Sequence, residues 1–218
     1  MILTVNAGSS SLKVAVFDPG EELREVASGT VSRIGPAASM KTVDRRGVET
    51  AAPVQAADHE QALACLVAAL APAWEHAPLS AIGHRIVHGG SMFSAPRVLD
   101  EATLAELERL APLAPLHLPI NLACVRAAAA AAPSVPQIGC FDTGFHHTMP
   151  WTQSAFALPP RFHDEGLRRY GFHGLSYTSV ARQLKAQYPE LHAGRVIVAH
   201  LGNGASMCAM KGGESLAT

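Results

Sequence analysis

Five short segments of this chain combine residue types suited to holding a small anion and a phosphate chain. In Asn6 to Lys13 (NAGSSSLK), an amide and a cation flank a small-residue turn whose backbone N–H groups can approach an anion closely. The GxxxxGK(S/T) spacing of a P-loop is missing, so the segment reads either as a phosphate cradle or as a polar hairpin. In Gly83 to Gly90 (GHRIVHGG), strand periodicity puts Arg85 and Val87 on one face and His84, Ile86 and His88 on the other. A guanidinium beside a valine suits a carboxylate with a short alkyl tail, or else a structural ion pair. In CFDTGFHHTMP, Asp142 follows the apolar run Gln137 to Phe141, at a strand end where α/β sheets hold ligands. The adjacent His146 and His147 cannot share a strand face and read as loop polar residues rather than metal ligands. In RRYGFHGLSY, His173 stands directly before a helix, placed to contact a phosphoryl oxygen or to cap that helix. Finally, AHLGNGAS (199–206) is a strand entering a Gly-Asn-Gly turn, where glycines leave room for phosphates against the backbone.

The elements that must carry these residues follow from local pattern. Ile2–Val5 and Lys13–Phe17 predict a hairpin, Glu25–Ile34 a third strand, and Gly35–Pro53 a further edge hairpin. Asp58 reads as the N-cap of a helix that keeps apolar residues at helical spacing until Pro72. A strand over Ala81–Val87, a helix capped by Asp100, a helix opened by Pro119 and a strand over Pro136–Phe141 follow. Leu175–Tyr188 predicts a helix, and Arg195–His200 pairs with Met207–Met210 across the glycine turn. Hairpins first and strands alternating with helices afterwards predict an α/β fold with a mixed sheet flanked by helices. Gly212 to Thr218 adds no expected helix or capping segment, so the chain reads as cut short.

Composition narrows the function classes. The 218 residues are 48% hydrophobic and 16% charged, which excludes disorder and provides for one large domain or two modest ones. A formal net charge of −1 gives no global reason to expect nucleic acid or an anionic membrane as partner. Cys65, Cys124, Cys140 and Cys208 show no CxxC spacing and read as reduced packing residues. The N-terminus has no basic leader, and the alanine run near Ala127–Ala132 is far shorter than the roughly 20 residues of a membrane span. A cytoplasmic protein is expected.

Taken in order, these segments, together with PLAPLH, Pro119 and Asn121, resemble the acetate kinase family, the acetate and propionate kinases of the sugar kinase/Hsp70/actin superfamily. The resemblance runs from Asn6 through Ser206. It implies a ribonuclease H-like, actin-like ATPase domain followed by an incomplete second domain of the same kind. Residues 1–146 would bind the carboxylate, and 147–218 would form part of a nucleotide-binding domain. It further implies that Arg85, Asp142 and His173 are catalytic and that Arg85, Val87, Leu116 and Phe172 bind the substrate. Ser10, Lys13, His200, Leu201, Gly202, Asn203 and Gly204 would face ATP or ADP, and Asn6 would help hold Mg²⁺ or Mn²⁺. Family members are expected to be homodimers at full length.

The implied reaction is reversible, direct in-line transfer of the ATP γ-phosphate to acetate, giving acetyl phosphate and ADP. Propionate as acceptor, or a truncated and inactive remnant, are the alternatives. A carboxylic acid of pKa near that of Glu, about 4.3, is ionised at neutral pH, so no general base is needed. The task is positioning and charge neutralisation, and Asp142 is expected to orient Arg85 or a metal-bound water. The chain departs from the family pattern at Leu118, Gly144, His147 and Leu175-Ser176-Tyr177. A second arginine, an adenosine-binding glycine segment and a late glutamate of the family have no counterpart, so weak activity or none is expected of this chain.

Overall fold

Alternating burial builds the first strands. Leu3, Val5 and Ala7 of β1 (Ile2–Ala7) are buried, as are Leu12, Val14 and Val16 of β2 (Ser11–Asp18). The strands pair antiparallel with Val5 opposite Val14, so both apolar sets share one face. In the intervening turn Gly8 N–H donates to Ser11 O at 2.8 Å. A computed structural model of the chain describes residues 1–202 and 204–218, and packing divides them into two compact units. One unit is Met1–Ile86 with Arg97–Gly139, and the other is Val87–Pro96 with Cys140–Thr218.

In the first unit the meander continues through β3 (Arg24–Ser32), β4 (Ser39–Val43) and β5 (Glu49–Pro53). The last two are the expected edge hairpin. On its other side β1 pairs in parallel with β6 (Ala81–Ile86). With β7 (Arg97–Val98) and β8 (Gln137–Phe141), the sheet order is β5-β4-β3-β2-β1-β6-β8-β7. Parallel and antiparallel pairs make it the expected mixed sheet. β7 was not expected, because two exposed residues carry no periodicity.

Asp58 caps α1 (His59–Leu70) by accepting from Gln61 N–H at 2.8 Å, and Gln61 Oε1 accepts from Ala57 N–H at 2.9 Å. Ala62, Leu63, Leu66 and Leu70 bury against the sheet, each leucine contributing roughly 1.5–3 kcal/mol. At Gly29 of β3 the helix comes so close that a Cβ would lie 2.6 Å from Leu66 Cδ2. Asp100 caps α2 (Glu101–Arg109) in the same way, accepting from Thr103 N–H at 2.8 Å. Pro119 lies in the first turn of α3 (Leu118–Ala131), whose Cys124 and Ala128 join the core.

The second unit adds the short α4 (Trp151–Ser154) and α5 (Pro160–Asp164), then α6 (Gly174–Gln187) and α7 (Pro189–Ala193). β9 (Arg195–His200) and β10 (Ser206–Lys211) form the expected antiparallel pair. The segment after Lys211 corrects the expectation. Gly212 and Gly213, at φ 59° and 80°, turn the chain back into β11 (Glu214–Ala217), giving a three-stranded sheet ordered β11-β10-β9. Tyr177 and Ala181 of α6 bury against Cys208 and Met210 of β10. The opposite face leaves Ile197 75% and Met207 63% exposed. All four cysteines are unpaired, and burial pushes the Cys124 thiol up to about 12. Among the described residues no helix is long and apolar enough to cross a membrane.

Candidate functional site

Strand register assembles the first unit's candidates. Lys13 of β2 lies directly opposite Asn6 of β1. In the parallel pair Val5 aligns with His84, so the next residues, Asn6 and Arg85, point to the same face. Arg85 Nη1 donates to Asn6 Oδ1 at 3.1 Å. Lys13, Asn6 and Arg85 thus form a row across three adjacent strands, on the face opposite Leu12, Val5 and His84. Ser10 lies exposed in the turn beside this row, and Leu116 is 74% exposed in the segment before α3. His84, expected on the face opposite Arg85, is buried. Gln137 Nε2 donates to Val135 O at 2.8 Å, so its Oε1 faces His84 Nε2 at 2.7 Å and the ring donates there. Burial holds His84 below the usual imidazole range, partly offset by this bond.

A second cluster lies in the other unit. Asp142, 1% exposed, directly follows β8. Its carbonyl accepts from Gly174 N–H at 2.8 Å, tying the start of α6 to the strand end. Only glycine fits there, because a Cβ on Gly174 would lie 2.2 Å from Asp142 O. His173, the residue before it, enters α6 in the left-handed region at φ 57°, a conformation costly for a residue with a side chain. Its ring makes no cap to its own helix. Instead Nδ1 contacts Ser206 Oγ at 2.8 Å, and Tyr177 OH reaches the same oxygen at 2.5 Å. The His173 imidazole stacks on His200, with ring centroids 4.2 Å apart and planes 15° apart. His200 Nδ1 contacts Ser176 Oγ at 3.0 Å. A Cβ on Gly204 would come within 3.5 Å of His173 Nε2, which places the glycine turn beside that nitrogen. Leu201 is 81% exposed and Gly202 is also exposed, while Asn203 lies outside the described residues. Phe172 packs on His88, edge to face at 5.6 Å, in the same unit as half-buried Val87.

His146, expected as a loop polar residue, lies in the short helical turn Gly144–Thr148 and points inward. It is 3% exposed, with Nδ1 2.8 Å from Ser215 Oγ and Nε2 3.0 Å from Phe172 O. A carbonyl only accepts, so Nε2 donates and the ring holds the backbone one residue before His173. Burial is the main cause that lowers its pKa. The bond to Phe172 and the charge of Asp142 work against that lowering, while His173 adds to it. No sequence signal separates it from His147, whose Nδ1 bonds only the nearby Gly144 O at 2.7 Å. Sequence reasoning also missed Ser206, Ser176 and Tyr177 as the partners of the stacked imidazoles. The departures find physical reasons. Leu118 is fully buried, Tyr177 supplies the hydroxyl to Ser206, and a Cβ on Gly144 would lie 2.6 Å from Ser94 O.

A divalent ion was expected at Asn6. Its carboxamide oxygen, with one lone pair taken by Arg85, suits a Mg²⁺ that brings its own phosphate and water ligands. An all-protein cage is not available, since no three His, Cys, Asp or Glu side chains cluster for a metal among the described residues.

Comparison with known proteins bears on family and fold. The model of the acetokinase family matches residues 1–218. An acetate kinase of Methylocella silvestris is 45% identical over 229 residues, covering 100% of this chain and 57% of that protein. The crystal structure of Porphyromonas gingivalis acetate kinase superposes with a TM-score of 0.83 at 33% identity, over 99% of this chain and 56% of that one. A propionate kinase from Francisella tularensis superposes with a TM-score of 0.88 at 31% identity over the same shares. The chain therefore spans just over half the length of these relatives, and its mixed sheet flanked by helices is the architecture they share. With the family model matched from end to end, the chain belongs to the acetokinase family.

Proposed function

We propose that this chain carries the carboxylate-binding part and some of the phosphate-binding part of a kinase that moves the γ-phosphate of ATP reversibly onto acetate. Residues 1–146 and 147–218 would be the two functional segments. The Lys13–Asn6–Arg85 row carries this reading. It offers a guanidinium whose position is set by a neighbouring amide, beside an ammonium, on one sheet face. Arg85 would fork onto the carboxylate and cancel charge as the acceptor meets the phosphate, with Val87, Leu116 and Phe172 as apolar neighbours of the alkyl end. Ser10 and Lys13 would meet nucleotide phosphates. So would the backbone from His200 through Leu201, Gly202, Asn203 and Gly204.

His173, fixed by Ser206 and stacked on His200, would donate to the phosphoryl oxygens from Nε2. Asp142 would act by ordering its surroundings, because an ionised carboxylate needs no base. Mg²⁺ or Mn²⁺, held in part by Asn6, would supply charge neutralisation on the phosphates. A cytoplasmic, homodimeric full-length enzyme belongs to the same reading.

Propionate is the runner-up acceptor, since one methylene is worth only about 1–3 kcal/mol in an apolar pocket. A binding module without turnover is a second reading. The test mixes the purified chain with ATP, Mg²⁺ and either acid and traps the acyl phosphate as hydroxamate. Acetate and propionate binding is measured in parallel by calorimetry. The carboxylate role predicts a loss of affinity of about tenfold or more in Arg85→Gln. Unchanged binding in that variant refutes the role, and binding without hydroxamate selects the second reading.

A further inference from the structure

The second unit contains a partly open cavity of about 230 Å³ whose walls include Ser91, Ser94, Thr143, Arg168 and Arg169. None of the residues proposed above for the carboxylate or the nucleotide lines it. Arg168 and Arg169 both line it, the second also reaching over the Phe156 ring at 5.9 Å, and no aspartate or glutamate is among the lining residues. Arg168 Nε is buried and has no hydrogen-bond partner among the described residues. A buried charged donor left unmatched is costly, so an anion held beside this guanidinium would offset part of that cost.

The surroundings make this a shaped site. The Arg168 guanidinium lies over the Tyr170 ring at 5.9 Å from its centroid, which orients its planar donors. Thr143 Oγ1 already accepts from Gly89 N–H at 2.9 Å, leaving its hydroxyl proton to donate. The His146 side of the wall is spent, since both ring nitrogens are engaged with Ser215 and Phe172. That wall is also tight, because a Cβ on Gly171 would fall 2.4 Å from the His146 ring. The volume lies below the roughly 300–1,000 Å³ of ordinary small-molecule pockets, which suits a compact polar ion. Arginine side chains together with hydroxyl donors suit a tetrahedral dianion better than a planar monoanion.

We propose that this cavity binds a phosphate-class oxyanion, with Arg168 and Arg169 supplying charged donors and Thr143 a hydroxyl donor. The site goes beyond the proposed reaction and does not depend on it. Calorimetry on the 218-residue chain, without nucleotide, should show saturable binding of inorganic phosphate. Arg168→Gln and Arg169→Gln should each weaken it about tenfold or more, as loss of a charged donor to a desolvated oxyanion implies, and Arg85→Gln should leave it unchanged. Glycerol 3-phosphate run in parallel distinguishes the sources. Tighter binding than the free ion assigns an esterified phosphate, and weaker binding assigns the ion itself.

A second measurement needs no variant. Arginines of the parent chain are modified with 4-hydroxyphenylglyoxal and mapped by peptide mass spectrometry. Phosphate should slow modification of Arg168 and Arg169 but not of exposed Arg97, whereas acetate should protect neither. Absence of saturable binding by both phosphate probes, loss of phosphate affinity through Arg85→Gln but not Arg168→Gln, or no protection of Arg168 overturns the proposal. A chain that makes no acyl phosphate yet binds phosphate through Arg168 loses the kinase reading and keeps this one.

Discussion

Replacing Gly174 with alanine sets two effects of opposite sign against each other. Gly174 is the first residue of α6, where helix propensity alone favours alanine by up to about 1 kcal/mol. A Cβ at this position would lie 2.2 Å from Asp142 O and 2.9 Å from Phe145 Cβ, and neither neighbour is the flexible end of a side chain. The helix start or the strand end must retreat, which lengthens the 2.8 Å bond from Gly174 N–H to Asp142 O. Overpacking costs about 1–3 kcal/mol, and the strained hydrogen bond costs up to about 1.5 kcal/mol more.

After the propensity gain is deducted, a net loss of about 2 kcal/mol is expected. In a chain of this length each kcal/mol moves Tm by about 2–4 °C, so thermal unfolding followed by circular dichroism should shift down by about 4–8 °C. Gly83→Ala is the control. Its nearest contact would be Leu3 O at 3.9 Å, and its effect should stay within about 0.5 kcal/mol. A Gly174→Ala chain that melts at or above the parent temperature refutes the claim that close approach, rather than backbone freedom, demands glycine before the body of α6.

Three further outcomes are expected. His84, His88 and His146 are all held below the ordinary imidazole value of 6.5, with burial as the largest cause. Their unfolded forms bind more protons as pH falls through that value, so stability is full above it and declines below it, and Tm should drop between about pH 7.5 and 5.5. A flat profile there contradicts neutral burial. At Gly29, alanine would press on Leu66 Cδ2 and destabilise by about 1–3 kcal/mol, while the Gly29→Ala/Leu66→Ala double variant should cost less than the sum of its singles in urea unfolding. Strict additivity would disprove the contact. Asp58→Ala removes the bond to Gln61 N–H and should cost about 1 kcal/mol in the same assay, whereas Asp58→Asn should retain most of the stability.

The two kinds of information divide along the range of the forces involved. Asp58, Asp100 and Pro119 act within one helical turn, and the alternation Leu3-Val5-Ala7 against Leu12-Val14-Val16 acts within one hairpin. Such local rules were legible in the residues, as was the hairpin itself, while the register that sets Lys13 opposite Asn6 came from the structure. The Gly212-Gly213 turn was also a readable hairpin signal for β11, although the strand following it has only four residues. Contacts between distant segments were not legible. His146 and His147 are identical neighbours in the chain, yet the first is buried only because Phe172 and Ser215 are brought to its two nitrogens. The need for glycine at residues 144 and 174 arises where the Ser94 and Asp142 carbonyls arrive from elsewhere. The amino-acid sequence by itself determined most of the elements, the mixed sheet and the family resemblance. Tertiary packing decided which histidine is a buried strut, which imidazoles stack and where a cavity gathers two arginines, because burial and desolvation depend on neighbours far along the chain.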